Sequence, residues 1–155
     1  RTDLHAARMV NTLLRGTVVG SALLLEADMR GADLTGAYLC NVRLNGANLS
    51  EAKLDGAILG GEDCIPATMD RVVMIRTSLV GANLCGVSLL RADLSDANLT
   101  DADLSESDLT STIMRKANLT GTNFQDVDLT TTTMTLANLS AAKNVHLKYP
   151  KRDAR

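Results

Sequence analysis

The sequence has little of what usually builds a globular core or crosses a membrane. Aromatic residues make up 2% of its 155 residues, with no tryptophan, two tyrosines and one phenylalanine, so the large side chains that dominate most cores are missing. No apolar stretch exceeds four residues, far short of the roughly 18 that a membrane-spanning helix needs. With 45% hydrophobic residues and a net charge of −2, the composition predicts one soluble domain with a core of smaller side chains.

Cysteines are also few. Cys40, Cys64 and Cys85 are odd in number and lack CxxC spacing, which argues against a disulfide framework and against a zinc site. They are interpreted as reduced residues that pack. The chain begins at Arg1 without a methionine or the apolar region of a signal peptide, as a mature or excised piece does. The compartment therefore stays open, with the cytoplasm favoured.

What the sequence has in abundance is a period of five. Every fifth residue from position 4 to position 139 gives 28 positions, of which 19 are leucine and six are methionine. The remaining three are Val19, Cys64 and Phe124. A second column, from position 2 to position 137, holds only alanine, threonine, valine and serine apart from Glu62. Such a repeat predicts that both columns are buried along the whole chain.

A period of five matches neither a helix nor a strand. An apolar stripe with this period would drift around a helix and alternate between the faces of a straight strand. A short extended segment that points a small residue and a leucine inward, followed by a corner, does bury both columns. Nine of the 11 glycines lie two residues after the leucine position, where a corner needs a permissive backbone. The sequence therefore predicts a chain that turns every five residues.

Individual units resemble the A(D/N)LXX unit of the pentapeptide-repeat family. Examples are Ala-Asp-Leu-Thr-Gly at 32–36, Ala-Asn-Leu-Ser-Glu at 47–51 and Ala-Asn-Leu-Thr-Asp at 97–101, and the resemblance covers nearly the whole chain. It implies an all-β fold, a right-handed quadrilateral parallel β-helix with one pentapeptide per face, in which residues i and i+20 stack. About seven coils, at about 4.8 Å each, would give a tower of roughly 34 Å.

The repeat predicts a solenoid over residues 1–142 and a C-terminal cap or basic tail over 143–155. In the first coil, a capping helix is the alternative to repeats, which are favoured. A charged residue and a proline weaken the pattern at Glu62–Pro66, which predicts a bulge, either a tolerated defect or a protruding recognition loop. After the solenoid, Leu147 and Tyr149 either fold over the last coil or belong to a disordered linker.

No catalytic, cofactor or metal site is predicted. The two histidines, His5 and His146, lie at opposite ends of a filled tower, and the many Asp and Asn residues occupy the outward position of the repeat, where solvated side chains are the usual interpretation. The sequence contains neither a glycine-rich phosphate loop nor a basic stripe with aromatic residues. We therefore expect a non-enzyme without cofactors, and without a nucleic-acid or membrane ligand.

Two outward surfaces are candidates for interaction. The coil from residue 92 to residue 111 has no lysine or arginine and a local charge of −6. This acidic coil carries Asp93, Asp96, Asp101, Asp103, Glu106 and Asp108. Under the i, i+20 rule, Val18, Tyr38 and Ile58 stack outward on one face, which predicts a covered surface. The same rule stacks Asn98, Asn118 and Asn138 in a ladder beside Thr100, Thr120 and Ser140.

The preferred function is a rigid scaffold or protein-interaction module, which in some proteins of the resembled family is one domain of a larger chain. A protein partner, not yet identified, and a monomer or homodimer are expected. The alternative is a DNA-mimicking inhibitor or protector of a type II topoisomerase, since some proteins of that family present a negatively charged rod. Basic residues flank the acidic coil and the phenylalanine-rich column of those proteins is missing, so a solvated coil is favoured.

Overall fold

Each five-residue unit forms one side of a square coil in the computed structural model, which describes residues 2–145. The outward residue of a unit forms a parallel bridge to the outward residue of the next coil, and these one-residue bridges take the place of longer strands. Four units complete a turn, so the fold is a right-handed quadrilateral β-helix of about seven coils, as predicted. The described part of the chain contains no helix, and hence none that could span a membrane.

We number the four sides by their columns of bridged outward residues. Face 1 carries Asp3, Leu23, Arg43, Thr68, Ser88 and Asp108. Face 2 carries Arg8, Asp28, Asn48, Val73, Asp93, Ile113 and Thr133. Face 3 carries Leu13, Asp33, Lys53, Ser78, Asn98, Asn118 and Asn138. Face 4 carries Val18, Tyr38, Ile58, Asn83, Asp103, Asn123 and Lys143.

Both ends of the described chain follow the repeat. In the first coil, Arg8 and Leu13 pair with the second coil, so repeats and not a helix occupy this position. At the other end, Lys143 still pairs with the preceding coil, one residue beyond the expected boundary. The expected cap with Leu147 and Tyr149 lies outside the described residues.

The two inward columns fill the interior, as predicted. Side chains such as Met74, Leu89 and Phe124 are fully buried, and the alanines beside them are at most 2% exposed over most of the tower. Where threonine replaces alanine, its hydroxyl donates to a backbone carbonyl, as Thr77 does to Leu49 and Thr112 to Leu89, both at 2.8 Å. Among the described residues, no buried side-chain polar atom lacks a partner.

The corners explain two further features of the repeat. The nine glycines predicted to lie at corners all have a positive φ, which glycine adopts more readily than any other residue. Non-glycine residues such as Asn41 and Asp96 adopt a positive φ at the same position of other units. The outward Asp or Asn accepts a hydrogen bond from the N–H two residues later, for example Asp93 from Ser95 at 2.9 Å and Asn98 from Thr100 at 3.2 Å. The short side chain thus satisfies the one corner N–H that stacking does not reach.

The predicted asparagine ladder is present on face 3. Asn118 and Asn138 each donate through Nδ2 to the Oδ1 of the asparagine one coil earlier, both at 3.3 Å. They also donate to Thr100 and Thr120 at 3.0 Å. Coil-to-coil hydrogen bonds between side chains therefore supplement the backbone pairing.

The prediction that residues i and i+20 stack throughout is wrong at residues 62–66. Arg43 pairs with Thr68 and Ile58 with Asn83, a step of 25 residues, because the unit at 62–66 does not contribute a side of the solenoid. An inward Glu62 would bury an unpaired carboxylate, and Pro66 has no N–H to offer the next coil. The unit is instead accommodated in a loop, and every later coil is shifted by one face relative to the simple rule.

Candidate functional site on face 4

A disulfide joins the loop to the preceding coil. Cys40 and Cys64 are bonded, with an S–S distance of 2.05 Å and a Cα–Cα distance of 5.3 Å, while Cys85 is free and half-buried. The prediction of three reduced cysteines is therefore wrong. The spacing of the cysteines in the sequence does not reveal the pair, because Cys64 reaches Cys40 only when residues 62–66 form a loop outside the solenoid.

The loop covers residues 60–66 and replaces a two-residue corner. In an ordinary corner the leucine carbonyl accepts from the N–H three residues later, as Leu54 does from Ala57 at 3.0 Å. Here the carbonyl of Leu59 accepts from Ala67 at 2.7 Å. The carbonyl of Ile65 then accepts from Asn41 at 2.6 Å, which restores the stacking. The loop is therefore closed at its base and bonded to the coil before it.

Two glycines let the loop lie tightly against the next coil. A Cβ on Gly60 would lie 1.9 Å from the backbone oxygen of Cys85, and a Cβ on Gly61 would lie 2.8 Å from Nδ2 of Asn83. Gly60 therefore cannot be replaced by a residue with a side chain unless the backbone of Cys85 moves. The Gly60-Gly61 pair is thus the feature of the sequence that indicates this contact. The repeat pattern alone does not predict it.

The apolar column predicted on one face is present on face 4. Val18, Tyr38 and Ile58 pair in register; Val18 is 80% exposed, Tyr38 is 49% exposed and Ile58 is half-buried. Apolar side chains from three coils therefore share one face, and the loop that borders it carries a further exposed apolar residue, Ile65, which is 67% exposed.

A cleft of about 320 Å³ lies between this column and the loop. Its apolar lining comes from Tyr38, Ile58 and the disulfide, and its polar lining includes Glu62 and Asp63. Asn83 and the two glycines complete it. Both acidic residues are exposed and, within residues 2–145, neither forms an ion pair.

The shift of register connects the apolar column to part of the acidic coil. Below Ile58, face 4 continues through Asn83 to Asp103, whereas the simple i, i+20 rule would have stacked Ser78 and Asn98 there. The acidic corner residues Asp101 and Glu106 lie on the two edges of the same face. Two surfaces that were separate in the sequence prediction therefore meet on face 4.

The rest of the acidic coil is spread around the tower. Asp93 lies on face 2 and Asp108 on face 1, each accepting from the N–H two residues later at 2.9 Å. Asp96 lies at the corner between faces 2 and 3, with a φ of 57°. These three carboxylates point away from face 4, so the coil does not act as one continuous acidic patch.

Positive charge collects on the opposite side of the tower. The corner residues that flank face 2 include five exposed cations. They are Arg71, Arg76, Arg91, Arg115 and Lys116.

Near face 4, Arg15 is paired through Nε with Oδ2 of Asp33 at 2.6 Å. The hydrogen bond from the Thr35 hydroxyl to Asp33, opposed by burial and assisted by Arg15, lowers the pKa of Asp33 from 3.8 to about 2.

The features of face 4 are suited to binding. Neither histidine of the chain is placed on this face: His5 lies in the first coil, before Val18, and His146 lies outside the described residues. Residues 2–145 contain no group of three or more His, Cys, Asp or Glu side chains that could hold a metal ion. What the face does offer is rigid apolar surface and a cleft lined by two carboxylates, Glu62 and Asp63.

Comparison with known proteins agrees with this architecture. The family model for pentapeptide repeats matches in eight copies, over residues 22–61, 77–115 and 112–143. QnrB1, a plasmid-mediated fluoroquinolone resistance protein, is similar in structure with a TM-score of 0.59 and 18% identity, over 83% of this chain and 65% of its own. HetL of the cyanobacterium Nostoc sp. Strain PCC 7120, involved in heterocyst differentiation regulation, is 29% identical over 92% of this chain and 72% of its own, with a TM-score of 0.46. No curated protein matches the sequence.

Proposed function

Since the chain belongs to the pentapeptide-repeat family, we propose that it is a rigid, non-enzymatic interaction module that binds a protein partner through face 4. The observation that carries the proposal is the column of Val18, Tyr38 and Ile58 on face 4, of which Val18 and Tyr38 are exposed. Stacked apolar side chains on a flat, hydrogen-bonded face lose unfavourable contact with water when a partner covers them. Aromatic residues such as Tyr38 are enriched where such interfaces carry most of their binding energy.

Rigidity supports the proposal from a second direction. The backbone of face 4 is bonded to coils on both sides, and the loop is held by the disulfide and by the contact of Gly60 with Cys85. A surface that is already ordered loses little conformational entropy when it binds. The solenoid therefore serves as a scaffold that presents face 4 in one conformation.

Site-specific photo-crosslinking in the native cells tests the proposal. A benzophenone amino acid at Tyr38 should capture a discrete protein partner, whereas the same amino acid at Lys53, exposed on face 3 of a neighbouring unit, should not. Val18→Asp should abolish the capture at Tyr38, because a charge in the column is desolvated on binding. Equal capture at both positions, or none at Tyr38, would contradict a role for face 4.

The alternative, a DNA-mimicking protector of a type II topoisomerase, is favoured by one observation, the acidic coil. The likeness to QnrB1 concerns the fold alone, and the five cations beside face 2 would repel a protein that binds DNA through positive charge. A DNA gyrase supercoiling assay distinguishes the two functions. The scaffold proposal expects no inhibition and no protection at micromolar concentrations of the chain.

The disulfide bears on where the module works. Disulfides form and persist in oxidising environments and are rare in the cytosol. The Cys40–Cys64 bond therefore supports an oxidising compartment, in place of the cytoplasm that the sequence favoured.

A further inference from the structure

We propose that the cleft between face 4 and the loop is a receptor for one arginine or lysine side chain of the protein partner. The proposal rests on the proposed function, because it names the chemistry that the partner presents to face 4. Three features lead to it: the lining of the cleft, the charge at its rim and the way the loop is fixed.

The lining suits a long aliphatic stem that ends in a cation. Tyr38, Ile58 and the disulfide supply apolar walls, and the backbone of Gly60 and Gly61 completes the side formed by the loop. Arginine and lysine bury their methylene groups against such walls while the charged end remains near water. The ring of Tyr38 also attracts a cation that lies over its face. A volume of about 320 Å³ admits a single side chain of this size.

The charge at the rim selects a positive side chain. Glu62 and Asp63 line the cleft, are exposed, and have no ion-pair partner among the described residues. Asp103 lies two coils from Ile58 along the same face, a distance of about 10 Å, or three residues of an extended chain. The nearest cation along the edge, Arg15, is already paired with Asp33. An extended segment with one basic residue in the cleft and a second three positions away matches this distribution.

The loop is fixed before any partner arrives. Its base is closed by the Leu59–Ala67 hydrogen bond, its tip is joined to Cys40, and Gly60 lies against the backbone of Cys85. The carboxylates of Glu62 and Asp63 are thereby carried on a segment whose position does not have to be ordered by binding. Preorganisation of this kind favours recognition of one small group.

An NMR titration of the full chain tests the proposal with a minimal probe. Nα-acetyl-arginine N-methylamide should shift the amide resonances of residues 38–41, 58–65 and 83–85, with a dissociation constant on the order of 1 mM for a ligand of this size. The citrulline analogue has the same shape without the charge. It should bind at least about threefold more weakly, since an exposed ion pair contributes a factor of this order.

A matched pair of variants separates the cleft from general acidity. Glu62→Gln with Asp63→Asn should weaken binding of the arginine amide about three- to tenfold. Asp93→Asn with Asp96→Asn removes the same charge from the face 2 side of the acidic coil and should leave binding unchanged. Asparagine suits both control positions, because it accepts the same corner hydrogen bond and tolerates a positive φ.

The outcomes distinguish this proposal from the proposed function. Equal shifts with citrulline, equal weakening by both variant pairs, or shifts spread over the whole acidic coil would overturn the arginine receptor. If crosslinking at Tyr38 still captures a partner in that case, the interaction module stands without it. If arginine binds in the cleft while Tyr38 captures nothing, the receptor stands and the proposed role of the apolar column falls.

Discussion

Asp33 shows at the scale of one residue why the outward position prefers Asp or Asn. Its Oδ1 accepts from the N–H of Thr35 at 3.2 Å and from the Thr35 hydroxyl at 2.7 Å, while its Oδ2 accepts from Arg15. Asparagine can make the first two bonds equally well, and it does so at Asn98, which accepts from the N–H and hydroxyl of Thr100. Only the ionised carboxylate gains from Arg15.

Asp33→Asn tests the contribution of this charge through its pH dependence. Because the folded pKa of Asp33 is lowered from 3.8 to about 2, the ionised form stabilises the native state at pH values above about 4. The contribution is lost as the pH falls from about 4 to 2. The variant should therefore melt below the wild type at pH 7 and together with it at pH 2, in thermal unfolding followed by circular dichroism.

Arg15→Gln is the control for the source of the shift. It removes the cation but keeps the hydrogen bonds from Thr35, which have the larger effect on the pKa, so it should reduce the pH dependence without abolishing it. A difference between Asp33→Asn and wild type that is the same at pH 2 and pH 7 would show that charge is not responsible.

At the scale of an element, the loop at 60–66 departs from the repeat, and its chemistry explains why. A glutamate and a proline exclude the unit from the core, while two glycines and a cysteine fix it outside. The result is a closed projection that borders face 4. Glu62 and Cys64, which break the pattern of the repeat, are among the residues that line the cleft.

Removal of the disulfide should loosen the loop and lower stability while leaving the solenoid folded. Cys40 and Cys64 are 24 residues apart, for which the loss of the cross-link costs about 3 kcal/mol in the chain-entropy model. For a chain of this length, that corresponds to a fall of roughly 6–12 °C in Tm. Cys40→Ala with Cys64→Ala should show this fall by differential scanning calorimetry and should then be insensitive to dithiothreitol.

Alkylation provides an independent check of the same pairing. In denaturant without reductant, mass spectrometry should find one alkylated cysteine, Cys85, and three after reduction. Cys85→Ala, which removes the free thiol, should retain the full response of Tm to dithiothreitol. Three alkylated cysteines before reduction would mean that Cys40 and Cys64 are not bonded.

At the scale of the whole molecule, stability depends on an interior that is only two side chains wide. Each inward leucine touches the units of its own coil and of the coils on either side, and Leu89, near the middle of the tower, is fully buried. Within residues 2–145, no buried side-chain polar atom lacks a hydrogen-bond partner, since buried hydroxyls such as that of Thr112 already donate to backbone carbonyls. A defect in this core affects neighbouring coils in both directions.

Leu89→Glu should therefore prevent cooperative folding. An uncompensated carboxylate in this interior costs several kcal/mol, a large part of the roughly 5–15 kcal/mol by which domains are stable. Leu136→Glu is the matched control, because Leu136 is 77% exposed at a corner, and it should change stability by less than about 0.5 kcal/mol. An unchanged Tm for Leu89→Glu would contradict the filled core.

The distribution of charge is also a property of the whole molecule. Cations collect beside face 2, and the carboxylates of the loop and part of the acidic coil collect around face 4. A net charge of −2 conceals this separation. The separation of charge depends on which corner each charged residue occupies, and hence on the register of the entire stack.

The sequence by itself determined the solenoid, its two inward columns, its glycine corners and the apolar column. All of these follow from local geometry that every unit repeats, so 28 copies of one pattern specify them. Only the tertiary structure decided the Cys40–Cys64 bond, the cleft and the meeting of Ile58 with Asn83 and Asp103. All three depend on whether the unit at 62–66 forms a side of the solenoid. Because burying Glu62 and Pro66 would cost free energy, the unit forms a loop instead, and this sets the register of every later coil.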